Sequence, residues 1–498
     1  MEKDNFFKNS FLLTASNITT GILGFIFSIN LSKLLGAEGM GLYNLVMPLY
    51  NLFICLMTAG IVAAISRVSA VYSRKKEYGN LDKTIKTVAI FNFVWAILIG
   101  ILVFVFAPFI GEFGVSDTRT INAIRVACPA MVFIALSNIL KGYFLGLSKI
   151  KIPAIIDILE KGMRIITIGL LVFSFNSVNL KTLVTLAYIS LAIGEMQSLI
   201  LLYFYYRKLK SKNKHLINKP TEGRAQLLFN VLVVSLPLCL NGFIGSIFST
   251  FSTLIVPRRL IQAGFTYGES LSMIGRYSGM AVSIIAIPLI VVGSINSLLV
   301  PDLSQSLSRG NEYEATKRIN TVMKTAFILG IATSVICNLV PNELGNLFFD
   351  RVDLGNYIKA SSIAAPIFFL ASTMFGILNG LNKQGTIVKV TITIAVVELI
   401  SLFIFTGIPS INIYSYSISL LLTSLVSLFI SIREIKKVLN VHIPVFDFTI
   451  FLLIGILFFF LFKLFVAQVL APLKTIEVIL LIILSFLFFA FVSRFGTE

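Results

Sequence analysis

GYFLGLSK at 142–149 returns as GILNGLNK at 376–383, with G-x-x-x-G-L-x-K shared at a spacing of 234 residues. Independently, SRKKEY at 73–78 returns as SRGNEY at 308–313, at a spacing of 235. One such match alone reads as ordinary close packing of small residues between helices. Two matches at nearly one spacing predict that the chain is built twice from the same unit.

Hydropathy says what that unit is. Of 498 residues, 57% are hydrophobic and 13% charged, with a mean hydropathy of +0.92. A soluble domain is nearer half apolar and a quarter charged. The apolar residues fall into fourteen runs of about twenty, the length needed to cross a hydrocarbon core as helix. The expected fold class is therefore an all-α polytopic membrane protein of about 14 transmembrane helices. The repeat divides it into an N-lobe at 1–215 (spans 1–6), a C-lobe at 216–440 (spans 7–12) and two extra helices at 441–498. Six is even, so both lobes keep the same orientation and are related by an axis along the membrane normal. Certain secondary transporters use this parallel-repeat plan and hold their substrate between the halves.

Charge predicts the orientation. Lys and Arg are concentrated, by roughly threefold, in the connecting segments on the N-terminal side of the spans, which places both termini in the cytoplasm. The net charge of +18 is then mostly topology and attraction to an anionic inner leaflet, with no nucleic acid implied. MEKDNFFKNS has no small-residue cleavage site after the first apolar run, so that span is expected to be retained. Cys55, Cys128, Cys239 and Cys337 all fall in spans without C-x-x-C spacing, and no metal or cofactor is expected.

The segment DILEKGMRII at 157–166 sets four charges inside an apolar run. Arg164 lies roughly 16 Å beyond Pro153 at 1.5 Å per residue, near mid-membrane. Asp157 and Lys161 are four apart, as are Glu160 and Arg164, so each pair has the spacing to meet on the helix. Charges at that depth rarely face lipid and belong to the bundle interior or a wet cavity. They either bind something or brace the lobe. Arg125, Lys141, Arg276, Glu195 and Glu398 are further span charges. The repeat pairs Arg67 with Asp302 and Arg164 with Glu398, opposite charges at equivalent places that can form a gate or sit separately in headgroup water. Span 1 is uncharged and offers Asn17 on a polar face; Asn241 is its counterpart in span 7. Glycines and Pro237 interrupt these segments, which marks either a transporter's site or plain helix packing. Pro48, Pro288 and Pro366 are further expected kinks.

The runs LSKLLGAEGMGLYNLVMPLY, AGIVAAISRVSA, STLIVPRRLIQAG, MIGRYSGMAVSIIAIP and LVPDLSQSLSRGNEYEATKRIN resemble the stage V sporulation protein B family. That family is a polysaccharide-transporter branch of the multidrug/oligosaccharidyl-lipid/polysaccharide flippase superfamily, and the likeness covers spans 1 to 12. It implies fourteen helices, a bacterial cytoplasmic membrane, and export of undecaprenyl-pyrophosphate-linked saccharide, with lipid II for spore-cortex peptidoglycan the expected cargo. It also implies that membrane lipids and this lipid-linked oligosaccharide are the partners and that the protein is not an enzyme. The related lipid II flippases carry cavity arginines in span 1. This span 1 has none, so Arg164, Arg276, Arg67, Arg258 and Arg259 are the expected substitutes, with Asn17 and Asn241 for sugar hydroxyls. Glu160, Lys161, Glu195, Glu398 and Asp302 are the expected gating or ion-coupling residues. In lipid II flippases the last two helices form a groove for the polyprenyl tail. A cation-coupled multidrug exporter of the same superfamily is the alternative, resting on Glu160, Glu195 and Glu398. A glycosyltransferase would need paired outer-face carboxylates, and Glu112, Asp117, Glu269, Glu343, Asp350 and Asp353 are scattered.

Overall fold

The computed structural model describes residues 2–58, 60–175, 179–212, 218–439, 441, 443–469 and 475–495, with side chains at 2–11, 241, 467–469 and 493–495 left outside the description. The described residues form helices and turns with no strand. Seventeen α-helices follow one another along the chain. They are α1 (Glu2–Thr58), α2 (Ile61–Arg74), α3 (Tyr78–Phe109), α4 (Ile121–Gly146), α5 (Lys151–Phe175), α6 (Leu180–Lys212), α7 (Arg224–Gln262), α8 (Tyr267–Ile274) and α9 (Val282–Ser308). After them come α10 (Glu312–Leu339), α11 (Pro341–Phe349), α12 (Gly355–Ile363), α13 (Ala365–Gly380), α14 (Gln384–Thr406), α15 (Ser415–Lys436), α16 (Val445–Val469) and α17 (Thr475–Phe495).

Eleven helical segments are individually long and apolar enough to cross a membrane. The first, Leu12–Arg74, has 63 residues, length for about two crossings, and its backbone leaves the helix at Gly36 (φ 66°). A bent pair, Val352–Ile363 with Ala365–Gly380 at 52°, adds a broken span. Pro366, in the first turn of α13, suits that break because its ring cannot continue a helix already running. α5 has the length of a span, 25 residues, and carries the charges of DILEKGMRII. The described residues thus hold 11 to 12 candidate spans, and dividing the 63-residue segment and adding α5 accommodates the fourteen crossings expected. Apolar side chains on α3 point outward where lipid would lie, with Ile90, Ile101 and Val105 each about 60% exposed.

The duplication is visible in the backbone. Three left-handed residues recur 234 positions apart: Lys76 and Gly310, Ser116 and Asp350, Ser148 and Asn382. The glycines of the opening motif explain its spacing. A Cβ at Gly142 would lie 2.8 Å from the Val62 carbonyl oxygen, and one at Gly146 would lie 2.7 Å from Ser69 Cβ. In the second copy, a Cβ at Gly376 would lie 2.8 Å from Asn296 Oδ1 and one at Gly380 would lie 2.9 Å from Leu303. Val62 to Asn296 and Ser69 to Leu303 are again 234 apart. The small residues thus let α4 press on α2, and α13 on α9, in one register.

The chain resolves into two compact units, one of Met1–Leu35 and Leu42–Leu254, the other of Gly36–Gly41 and Ile255–Glu498. The first is cored by Ile65, Ile85, Ile139, Phe144, Leu202 and Leu227 from α2, α3, α4, α6 and α7. In the second, Leu303, Ile319, Met374 and Ile377 pack together. α16 and α17 join it by laying Phe451, Phe458 and Phe489 on Ile328, Ile331 and Ala332 of α10. Lys324 of α10 holds Asp447 of α16 at 2.8 Å.

Candidate functional site

The charges of α5 meet partners from both flanking helices. Arg164 lies thirteen residues into α5, about 20 Å along a helix of about 37 Å. Its Nη2 donates to Glu195 Oε1 of α6 and forms an ion pair with Glu160 Oε1, each at 2.5 Å. Gly194 makes this possible, because a Cβ there would lie 2.7 Å from Arg164 Cγ. Glu160 also receives Lys161 at 3.1 Å and has Lys141 of α4 at 4.0 Å. Lys141 is 2.7 Å from Asp157. The expected pairing of Asp157 with Lys161 is therefore replaced. Asp157 takes a cation from the neighbouring helix, and Lys161 turns to the acid next to it. Only the Glu160–Arg164 pair forms as its spacing predicts.

The network is closed and neutral, with three cations facing three acids. Arg164, Glu160 and Glu195 are 12%, 4% and 3% exposed. Three polar atoms within it are buried without a hydrogen-bond partner, Asp157 Oδ1, Arg164 Nε and Glu195 Oε2. Of the two acids on Arg164, Glu195 thus depends on that guanidinium, while Glu160 is also served by the lysines. Tyr43 and Tyr50 of α1 stand within electrostatic reach of Arg164. Tyr188 packs its ring 5.1 Å from that of Tyr43 and donates its hydroxyl to the Tyr43 carbonyl oxygen at 3.0 Å. Lys141, Asp157 and the three tyrosines were not among the expected site residues. The lysine and aspartate were visible as span charges, but no sequence signal marked the tyrosines.

The other expected residues are dispersed. Arg276 lies just beyond α8, 3.1 Å from Asp353 Oδ2, close enough for an ion pair but not aligned for a hydrogen bond. Asp353 is held more firmly by Arg351, through Nε at 2.9 Å and Nη2 at 2.8 Å. The same turn in the first copy pairs Asp117 with Arg119 at 2.8 Å, so the charges are exchanged between the repeats. Arg259 donates to the Phe403 carbonyl oxygen at 2.8 Å and to Gln262 at 2.5 Å, with its guanidinium over the Phe403 ring. These contacts engage it with α14 and with its own helix, and Arg258 is the more exposed of the pair. Arg67 is exposed on α2, and Asp302 holds Arg318 at 3.0 Å. Asn17 is exposed on α1, and the Asn241 side chain lies outside the described residues. Glu398 has no ion pair among the described residues, and the nearby Tyr416 feels its charge. Tyr416 stacks on Tyr277 with ring centroids 5.4 Å apart. No group of His, Cys, Asp and Glu suited to a metal occurs among the described residues.

Comparison with known proteins follows the same lines. Residues 6–307 match the family described as polysaccharide biosynthesis protein. The chain is 24% identical over 447 residues to stage V sporulation protein B of Bacillus subtilis, covering 89% of this chain and 86% of that one. It is likewise 24% identical over 423 residues to the lipid II flippase MurJ of the same organism, covering 79% and 77%. A solved structure of lipid II flippase MurJ in an inward closed conformation superposes with a TM-score of 0.75 at 14% identity, over 98% of this chain and all of that one. The resemblance to the stage V family is thus supported along most of the length, and the architecture is that of its superfamily. The chain belongs to the polysaccharide biosynthesis protein family, as a multi-pass membrane transporter or flippase of the multidrug/oligosaccharidyl-lipid/polysaccharide superfamily.

Proposed function

We propose that this protein moves an undecaprenyl-pyrophosphate-linked saccharide, lipid II, from the inner to the outer leaflet of a bacterial cytoplasmic membrane. The two lobes at 1–215 and 216–440 alternate access, both termini face the cytoplasm, and no chemical step is involved. The observation that carries the reading is Arg164, buried at mid-span and shared by two carboxylates. A guanidinium suits pyrophosphate because it donates in parallel to two oxygens. Its attachment to Glu160 and Glu195 keeps it neutralised when no cargo is present. Arriving pyrophosphate displaces Glu195, which has the fewest other partners, and its return expels the cargo. Arg67, Arg276 and Asn17 contribute along the path, and Glu398 responds to a coupling ion. The apolar groove of about 350 Å³ formed by Ile331, Val335, Leu452, Gly455 and Phe459 suits the polyprenyl tail.

The test is lipid II translocation in proteoliposomes by wild type, Arg164→Ala and Glu195→Gln. Transport by wild type and its loss in Arg164→Ala, with the fold intact, supports the reading. Wild type that neither moves nor binds lipid II overturns it. The unpaired Glu398 favours a second reading, a cation-coupled exporter of small molecules. Drug efflux abolished by Glu398→Gln, alongside inactivity toward lipid II, selects that reading instead.

A further inference from the structure

The ends of α2, α3, α4 and α6 in unit 1 line a cavity that shares no residue with the Arg164 network. α2 ends there at Arg74, α3 begins at Tyr78, α4 ends at Gly146 and α6 ends at Lys212. The cavity holds about 180 Å³, and its polar lining comes from Ser73, Tyr78, Asp82, Tyr143, Lys149, Tyr206 and Lys210. Asp82 is fully committed: Oδ1 accepts from Lys210 at 2.5 Å and from the Tyr206 hydroxyl at 3.0 Å, and Oδ2 from Lys86 at 2.9 Å. Two ammonium groups on one carboxylate leave a positive balance before Lys149 is counted.

Lys149 has no ion pair or side-chain hydrogen bond among the described residues, and the Tyr78 and Tyr143 hydroxyls have no acceptor. Among the described residues the cavity therefore presents Lys149 as a free cation and hydroxyl donors that include those of Tyr78 and Tyr143, while its acid, Asp82, is already committed. Burial and the nearby Lys212 charge together pull the Lys149 ammonium below its ordinary lysine range. The second repeat shows what is missing. Lys383, 234 residues on, lies in the field of Glu434 near the end of α15, whereas the charge that Lys149 meets at the end of α6 is that of Lys212. Around the cavity mouth Arg74, Lys75, Lys76 and Lys151 add a basic field that concentrates anions.

We propose that this cavity binds a phosphate group, with Lys149 as its charge contact and the Tyr78 and Tyr143 hydroxyls as hydrogen-bond donors. The phosphate belongs either to an anionic phospholipid headgroup or to a soluble phosphate. Bound there, it ties the start of α3 to the α4–α5 turn. The site shares no residue with the proposed transport path and stands whether or not lipid II is the cargo.

The experiment measures binding to the full-length protein of three probes: dioctanoyl phosphatidylglycerol, inorganic phosphate, and dioctanoylglycerol as the control without phosphate. Wild type should bind one phosphate probe at least about fivefold tighter than the control, the scale of one charge-assisted contact. Phosphatidylglycerol alone identifies a lipid headgroup, and displacement by inorganic phosphate identifies a soluble source. Lys149→Gln should erase the preference and Lys149→Arg should keep most of it. Tyr143→Phe retains the ring contact with Tyr206 at 5.2 Å and should weaken binding, which preserves the readout if Lys149→Gln misfolds. Unchanged phosphate binding in Lys149→Gln, or dioctanoylglycerol binding as tightly as phosphatidylglycerol, overturns the proposal.

Discussion

Replacing Arg164 by methionine removes a charge on which two buried acids converge, and the damage should fall unequally. Methionine keeps length and apolar bulk, so little packing is lost. Glu160 retains Lys161 at 3.1 Å and Lys141 at 4.0 Å, whereas Glu195, 3% exposed, is left without a cation in contact. Removing one partner of a buried pair costs about 3–5 kcal/mol because the surviving charge stays desolvated. Glu195→Gln alone should be mild, since Arg164 keeps Glu160 at 2.5 Å. In the Arg164→Met background, Glu195→Gln should restore stability, giving a coupling energy of about 2 kcal/mol. Apparent melting temperatures of the purified protein in detergent should rank wild type, Glu195→Gln, the double variant and then Arg164→Met. An Arg164→Met protein melting within about one degree of wild type refutes the reasoning. So does a double variant no more stable than Arg164→Met.

Other perturbations probe the remaining structure. Gly146→Ala should destabilise by several kcal/mol through contact with Ser66 and Ser69, while Gly169→Ala in α5, with open space around it, should be neutral or gain up to about 1 kcal/mol; melting curves of both decide it. Asp117→Ala should cost more than Arg351→Ala, by about 1 kcal/mol in a thermal melt. Asp117 is 7% exposed and accepts the Arg119 backbone N–H as well as its guanidinium. Lys149 binds its proton less tightly folded than unfolded, so its contribution improves as pH rises through the lowered value toward 10.5. Without phosphate ligand, Lys149→Gln should thus melt higher than wild type near neutral pH, with the gap closing above pH 10.5. A constant gap across that range contradicts the assignment.

Local pattern carried the architecture. Span length and the doubled G-x-x-x-G-L-x-K motif are properties of short stretches, and both survived into the fold because hydropathy and close packing act over a turn or two of helix. The left-handed pairs Ser116 and Asp350 or Ser148 and Asn382 fall at the same spacing, showing that even turns were duplicated. The exchanged pairs Asp117–Arg119 and Arg351–Asp353 each lie within three residues, yet Asp117 and Asp353 read in the sequence only as scattered carboxylates. What lay beyond the sequence was which helix face meets which. Asp157 and Lys161 had the spacing to pair, yet Asp157 found Lys141 on α4 and Arg164 found Glu195 on α6. Arg259, expected to meet cargo, takes the Phe403 carbonyl that the packing of α14 places beside it. A buried charge takes the partner that tertiary packing brings within reach, because desolvation makes any unpaired alternative costly. The sequence by itself determined that these charges lie inside the bundle; the rotation of α4, α5 and α6 against each other decided what they hold.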